Sequence, residues 1–246
     1  MQFRRAASRL FRSVLDFALP PRCGGCGVVV DSLDSFCPDC WRQLEFLGPG
    51  GCARCGIPLA ATDAETCGAC LARPPRLDRI RAAVAYGEIS RQIAMRLKYG
   101  RKVALARTMS RYIRPLLGEL PPDALFVPVP LHRARLWRRG FNQSAFVARE
   151  LSRATGHPLA VDALRRIRAT PPLKGMSVRQ RRRTVAGAFR ANRAMELQGR
   201  TIVLVDDVLT TGSTANACAR ALKRAGAARV ELVSWARVLR PSQIDV

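Results

Sequence analysis

Long apolar runs are missing from this chain of 246 residues. No stretch approaches the roughly 18 uninterrupted apolar residues of a membrane-spanning helix, so the sequence predicts a soluble protein with no transmembrane segment. Aromatic residues are few, at 6% of the chain, which leaves little material for stacking nucleic-acid bases. With 48% hydrophobic residues the chain still has enough apolar material for a full core and one or two domains.

Acidic residues are scarce as well. The chain has 42 Lys and Arg against 18 Asp and Glu, which gives a net charge of +24. This excess favours an anionic partner, either a nucleic acid or an anionic substrate. Only four of the basic residues are lysine, so a coding bias toward arginine is a competing explanation, and charge alone does not decide.

The first 20 residues lack the apolar core and cleavage site of a secretory signal, so we expect a reducing, cytoplasmic location. Residues 3–19 are basic and amphipathic, with five apolar residues on one helical face: Leu10, Phe11, Val14, Leu15 and Ala18. We expect residues 1–20 to form a helix that packs on the body of the protein. A transit peptide and a membrane-surface helix are the alternatives.

Eight of the nine cysteines form four CxxC pairs in residues 21–72. They are Cys23, Cys26, Cys37, Cys40, Cys52, Cys55, Cys67 and Cys70. Four thiolates suit tetrahedral Zn²⁺, so the spacing predicts a double zinc ribbon with two structural zinc ions, folded largely by metal binding. Disulfides are the alternative. We expect consecutive pairs to share a metal, although interleaved pairing fits the spacing too, and we expect Cys218 to be a buried packing residue.

Beyond the Arg73–Arg76 connector, strand-like and helix-like segments alternate, which predicts a parallel sheet with helices on both faces over residues 77–240. The predicted strands are 80–86, 125–130, 201–205 and 229–234. The predicted helices are 89–99, 103–117, 142–154 and 215–226, with Asn142 as an N-cap.

An apolar run from Thr201 to Val205 ends in Asp206 and Asp207, followed by a loop with hydroxyls and a glycine. Carboxylates at the end of a buried strand lie where open α/β sheets bind ligands. The loop precedes a helix, and helix N-termini bind phosphate. An ordinary strand–loop–helix turn with solvated aspartates is the alternative.

This pattern resembles the phosphoribosyl pyrophosphate (PRPP) motif of type I phosphoribosyltransferases, and the fold class it implies is α/β with that family's parallel sheet. The resemblance implies that the acidic pair binds the ribose hydroxyls and that the loop binds the 5′-phosphate. The implied PRPP-binding residues are Asp206, Asp207, Val208, Leu209, Thr210, Thr211, Gly212, Ser213 and Thr214. Mg²⁺ is expected to bind together with PRPP.

Four blocks together resemble the ComF family of competence-associated, phosphoribosyltransferase-like proteins. They are the cysteine module, Leu97–Gly100, Pro128–Pro130 with Arg139–Gln143, and the PRPP motif. The resemblance implies handling of incoming single-stranded DNA during natural transformation, with other DNA-uptake proteins as further partners. The zinc ribbons and the basic surface would meet the DNA, with Phe36, Trp41 and Phe46 as candidate stacking platforms, although a core role for these rings is the expected one.

The family fold also implies two basic segments around PRPP. The loop 131–143 corresponds to the pyrophosphate loop, with Arg133, Arg138 and Arg139 as its ligands. The segment 165–183 corresponds to a flexible hood, represented by Lys174 and Arg179, and Ser177 with Gln180 predicts a capping box within it. A solvated basic loop is the alternative for each arginine.

No residue is identified as catalytic, because no pocket for an acceptor or its base is recognisable. An active phosphoribosyltransferase on an unidentified acceptor in nucleotide metabolism is therefore the alternative to DNA handling. A PRPP-sensing transcription regulator is a third possibility, which the lack of a helix-turn-helix pattern disfavours.

Overall fold

The computed structural model describes residues 20–239, except residues 49, 60–63, 101, 172 and 174. Residues 1–19 of the predicted N-terminal helix (1–20) and Lys174 of the predicted hood therefore lie outside the described residues. Within the described ranges, every helix is too short or too polar to cross a bilayer.

The helices and strands follow the predicted alternation. The strands are β1 (Arg79–Ala85), β2 (Leu125–Pro128), β3 (Leu164–Arg166), β4 (Phe189–Ala191), β5 (Thr201–Leu209) and β6 (Arg229–Arg237). The helices are α1 (Pro38–Arg42), α2 (Gly68–Ala72), α3 (Glu88–Tyr99), α4 (Leu105–Ile113), α5 (Arg133–Arg139), α6 (Gln143–Thr155), α7 (Val178–Val185) and α8 (Ser213–Arg224), with a 3₁₀ turn at Arg114–Leu116.

Four parallel strands form the sheet, in the order β1-β6-β5-β2. Both faces are covered, because alternate residues of β5 enter different cores: Val203 and Val205 pack with α3, α4 and α6, while Ile202 and Leu204 pack with α8. The predicted sheet with helices on both faces is confirmed. Strands β3 and β4 form a separate antiparallel pair beside α8.

Several predicted boundaries differ from the structure, and three of these differences bear on the candidate site. Strand β5 continues through the acidic pair to Leu209, because β6 continues beside it and pairs with Asp206, Val208 and Leu209. Helix α8 begins at Ser213 instead of Ala215. The stretch 131–143 is not only a loop, because it contains the seven-residue helix α5.

The cysteine module lies across the edge of the sheet at β1. Its chain pairs with β1 through Leu47 N–H to Ala83 O (3.1 Å) and Ala85 N–H to Glu45 O (2.8 Å). Cys23, Cys37 and Cys40 join the core under α4, whereas Cys52, Cys55 and Cys70 join the core on the other face of the sheet. The module therefore covers an edge strand that would otherwise expose unpaired backbone groups.

Candidate functional site

The eight paired cysteines form two separate clusters. Cys23, Cys26, Cys37 and Cys40 make one, and Cys52, Cys55, Cys67 and Cys70 make the other, with the sulfur atoms of each set within 4.8 Å of one another. Four converging thiols are the donor set of a structural zinc site. Consecutive pairs therefore share a metal, as predicted, and Cys218 is a fully buried core residue apart from both clusters.

The two clusters have the same local architecture. Cys37 is the N-cap of α1 and Cys67 the N-cap of α2, and the backbone N–H of each points at the sulfur of the first cysteine of its set, at 3.2 and 3.3 Å. Burial raises the pKa of Cys23, but the backbone N–H groups of Cys37, Cys26 and Gly25 together outweigh burial and lower it to about 6. This stabilises the thiolate, which is the form that binds metal.

The acidic pair lies at the carboxyl end of the sheet, where the segment after β2 and the start of α6 meet it. Val129, just past β2, donates its N–H to Val205 O at 2.9 Å, and Asn142 Nδ2 in turn donates to Val129 O at 3.0 Å. Asn142 is also the N-cap of α6, as predicted, through a bond from Ser144 N–H at 3.1 Å. These contacts hold the start of α6 against the end of β5.

Asp207 is buried and engaged by its neighbours. Its Oδ2 lies 2.5 Å from Lys98 Nζ, and its Oδ1 accepts a hydrogen bond from Gln143 Nε2 at 3.3 Å. Burial alone would raise its pKa, but the Lys98 ammonium outweighs burial and lowers the pKa. Asp207 is therefore held as a carboxylate whose contacts lie inside the protein.

Asp206 lies on the other face of β5 and is half-buried. Its Oδ1 accepts hydrogen bonds from Ser144 Oγ at 3.2 Å and from Asp207 N–H at 2.9 Å. Burial, together with the neighbouring Asp207 charge, raises the pKa of Asp206 to about 7. Of the two acids, Asp206 is the more exposed.

The loop after β5 leads directly into α8. Gly212 is the N-cap in the left-handed conformation (φ +70°), and it supplies no side-chain cap to the helix. A Cβ there would be strained and would lie 3.3 Å from Asn216 Nδ2. The hydroxyls of Thr211 and Ser213 lie 2.9 Å apart. This arrangement leaves the helix N-terminus suited to an anion.

The predicted pyrophosphate arginines occupy α5. Arg139 lies at its carboxyl end, where it donates to Gln143 Oε1 at 2.5 Å and lies 5.1 Å from the centre of the Tyr99 ring. A chain of contacts therefore leads from Arg139 through Gln143 to Asp207. Arg133 and Arg138 are exposed on the same helix, outside this chain of contacts.

The hood segment reaches the site through an arginine that the sequence analysis did not single out. The capping box of Ser177 and Gln180 is present at the start of α7. Arg179 is exposed, whereas Arg181 is 4% exposed and donates to Thr210 Oγ1 at 3.2 Å. The reason is helical phase: Arg181 and Val185 are four residues apart, and this buried face packs on α8.

Comparisons with known proteins agree with this architecture. A double zinc ribbon domain profile matches residues 14–71, and a phosphoribosyl transferase domain profile matches residues 138–243. The DNA utilization protein YhgH of Escherichia coli K12 is 37% identical over 195 residues, which cover 76% of this chain and 84% of that protein. The chain belongs to the ComF family.

Two further relatives carry the family's competence names. Competence protein F of Haemophilus influenzae is 30% identical over 212 residues, covering 83% of this chain and 91% of that protein. Competence protein ComFC of Bacillus subtilis is 25% identical over 201 residues, covering 79% and 80%. Among solved structures, a B. subtilis glutamine PRPP amidotransferase aligns with a TM-score of 0.38 and 20% identity, over 57% of this chain and 30% of that one. The chain is thus a competence-related, phosphoribosyltransferase-like member of the ComF family with two four-cysteine zinc sites.

Proposed function

We propose that this protein binds PRPP at the carboxyl end of β5 and acts in the handling of single-stranded DNA. One observation carries PRPP binding. Asp206, a partly exposed carboxylate, is followed a few residues later by a helix N-terminus at Gly212 that no side chain caps. A pentose phosphate carries vicinal hydroxyls, which donate to carboxylates, and a phosphate, which accepts from backbone N–H groups.

Each part of the ligand has a matching group in this proposal. The 5′-phosphate binds the loop from Thr210 to Thr214, with Arg181 held above it by the Thr210 contact. The ribose hydroxyls bind Asp206, while Asp207 fixes the end of β5 through Lys98. The pyrophosphate lies toward Arg139, whose planar guanidinium suits phosphate oxygens.

Mg²⁺ fits this donor set, since the ion commonly takes one or two carboxylates together with substrate phosphates and water. Asp206 is the carboxylate that would hold it beside the ribose. When bound, the ion would offset the negative charge of the pyrophosphate.

Three observations support the DNA-handling part of the proposal. The chain has a net charge of +24, its relatives are named for DNA utilization and competence, and two arginine-rich segments contact the site through Arg139 and Arg181. We also propose a cytoplasmic location, because eight metal-binding thiols require reducing conditions.

Thermal unfolding and calorimetry with PRPP and Mg²⁺ test the PRPP site. At a PRPP concentration of about 100 times Kd, the wild-type chain should be stabilised by about 2.7 kcal/mol. Asp206→Asn should weaken binding at least about 10-fold, because it removes a charge-assisted acceptor. Asp162→Asn, at an exposed acid away from the site, should leave binding unchanged. A wild-type chain that neither binds nor is stabilised by PRPP contradicts the proposal.

A further inference from the structure

Helix α5 lies beside the site and is exposed to solvent. None of its seven residues is buried. It is tied down by Arg139, which contacts Gln143, and by Arg135, which donates to Thr170 O at 3.2 Å. Between these ties, Trp137 is 89% exposed and Leu136 is 42% exposed. Tryptophan is strongly buried on average, so a ring presented in this way marks a contact surface.

Positive charge surrounds this ring. Arg133 and Arg138 are exposed on α5, and the sequence from Leu131 to Gln143 contains no acid. The β3–β4 pair continues the surface, because His132 bridges to Arg166 of β3. Further exposed arginines lie in the stretch 163–195, which includes β3 and again contains no acid, among them Arg165, Arg168, Arg179, Arg182, Arg183 and Arg190.

The zinc module has the opposite character. Residues 21–72 contain three arginines and six acidic residues, so the whole positive excess belongs to the rest of the chain. Each four-cysteine site adds further negative charge, because four thiolates outweigh one Zn²⁺. Of its rings, Phe36 is 9% exposed, and Trp41 packs on Phe46 with ring centres 4.5 Å apart. The module is therefore poorly suited to a polyanion.

We propose that a single-stranded nucleic acid binds across the α5 surface (Arg133, Leu136, Trp137 and Arg138), with a base stacked on Trp137 and phosphates on the two arginines. This rests on the DNA-handling part of the proposed function and locates the strand on the phosphoribosyltransferase-like domain. Unpaired bases expose the flat faces that an aromatic ring stacks on, and arginines contact the backbone.

A membrane surface is the less suitable partner. A helix that lies in a lipid interface needs a broad apolar face, and α5 offers only Leu136 and Trp137 on seven residues. The position of the bound nucleic acid also has a structural consequence. Arg139, at the end of α5, contacts Gln143, which in turn contacts Asp207, so the nucleic acid would lie next to the proposed PRPP site.

The test is fluorescence anisotropy of a labelled oligo(dT) of about 20 nucleotides, titrated with the full-length chain at low salt. Trp137→Ala should weaken binding about 10-fold, because it removes one stacked base. Trp137→Phe should recover part of this loss, since a ring remains. Trp41→Ala, which removes the half-exposed tryptophan of the acidic module, should change the affinity less than about 2-fold. Thermal unfolding checks that each variant is folded.

The outcomes separate the two proposals. If the wild-type chain fails to bind oligo(dT), DNA handling fails, and the surface fails with it. If the wild-type chain binds but Trp137→Ala binds equally well, the α5 surface is wrong while DNA handling stands. A parallel titration with anionic lipid vesicles completes the test: loss of vesicle binding in Trp137→Ala, with oligonucleotide binding unchanged, would show a membrane surface and overturn the inference.

Discussion

The zinc module and the phosphoribosyltransferase-like domain differ in charge and in what holds them together. The module is net acidic, has two helices of five residues each and contains two four-cysteine sites. The domain is strongly basic and is built on a parallel sheet with cores on both faces. The groups that suit anionic ligands lie in the domain, and the module covers the edge strand β1.

The zinc module packs against the phosphoribosyltransferase-like domain. Asp34 accepts from Arg107 Nε at 2.8 Å, and Phe36 packs on Tyr112 with ring centres 5.2 Å apart. At the second four-cysteine cluster, Arg54 O accepts a hydrogen bond from Ile80 N–H of β1 at 2.8 Å. Docking on the sheet edge therefore adds stabilising contacts to the module, and its folding largely on metal binding stays a prediction.

Removing one zinc site should have the largest effect. Cys52→Ser should reduce the zinc content from two ions to one and lower Tm, since structural zinc contributes on the order of 10 kcal/mol to folding of a small module. Cys218→Ser is the matched control, because Cys218 is buried outside both clusters. Elemental analysis with thermal unfolding measures both. Two zinc ions retained in Cys52→Ser would contradict the assignment of that site.

The next largest effect is expected at the Lys98–Asp207 pair. The side chains are 22% and 6% exposed, so Asp207→Asn leaves an ammonium with little solvent and without its ion-pair partner. We expect a loss of about 3 kcal/mol in the free energy of unfolding, measured by urea denaturation. The exposed Arg42–Asp39 pair of the module is the control, and Asp39→Asn should leave stability unchanged. Equal effects at the two pairs would contradict this contrast.

A smaller effect is expected from the pH dependence of Asp206. Its pKa is raised from 3.8 to about 7, so between these values the folded chain keeps a proton that the unfolded chain has released. Stability without ligand should therefore fall as pH rises across this window, and Asp206→Asn should remove that part of the fall. Urea denaturation at pH 5 and pH 8 in Mg²⁺-free buffer measures this. A variant with the same pH dependence as the wild-type chain would show that Asp206 is not the group responsible.

The smallest effect concerns single surface charges. Arg138→Gln should reduce the salt dependence of oligo(dT) binding by about 0.7 in the slope of log K against log salt, as expected for one lost phosphate contact. Arg42→Gln in the acidic module should leave the slope unchanged. Anisotropy titrations at several salt concentrations measure both slopes. A larger change for Arg42→Gln would place the strand on the module.

Local sequence patterns were enough to predict the parts of the fold that depend on near neighbours. The CxxC spacing predicted both metal sites, and the apolar run predicted β5. Asn142 and Ser177 were predicted as caps because capping is a contact within three residues. The end of β5 was missed, since it depends on pairing with β6, which lies beyond α8 in the chain.

The side-chain partners at the site could not be predicted in the same way. Lys98 and Asp207 are far apart in sequence, and only the packing of α3 against the sheet brings them together. Lys98, Gln143 and Ser144 lie in or beside the motifs Leu97–Gly100 and Arg139–Gln143, but no local pattern indicates which partner each side chain has. Arg181 was predictable in principle, because its spacing from Val185 marks the inward face of α7, whereas Arg179 lies off that face.

Hydrogen–deuterium exchange on the full-length chain tests most directly the division of roles between the two regions. PRPP with Mg²⁺ should protect residues 206–214, oligo(dT) should protect residues 131–143, and neither should change exchange in residues 21–72. Ligand-dependent protection within residues 21–72, without protection at 206–214 and 131–143, would contradict the account.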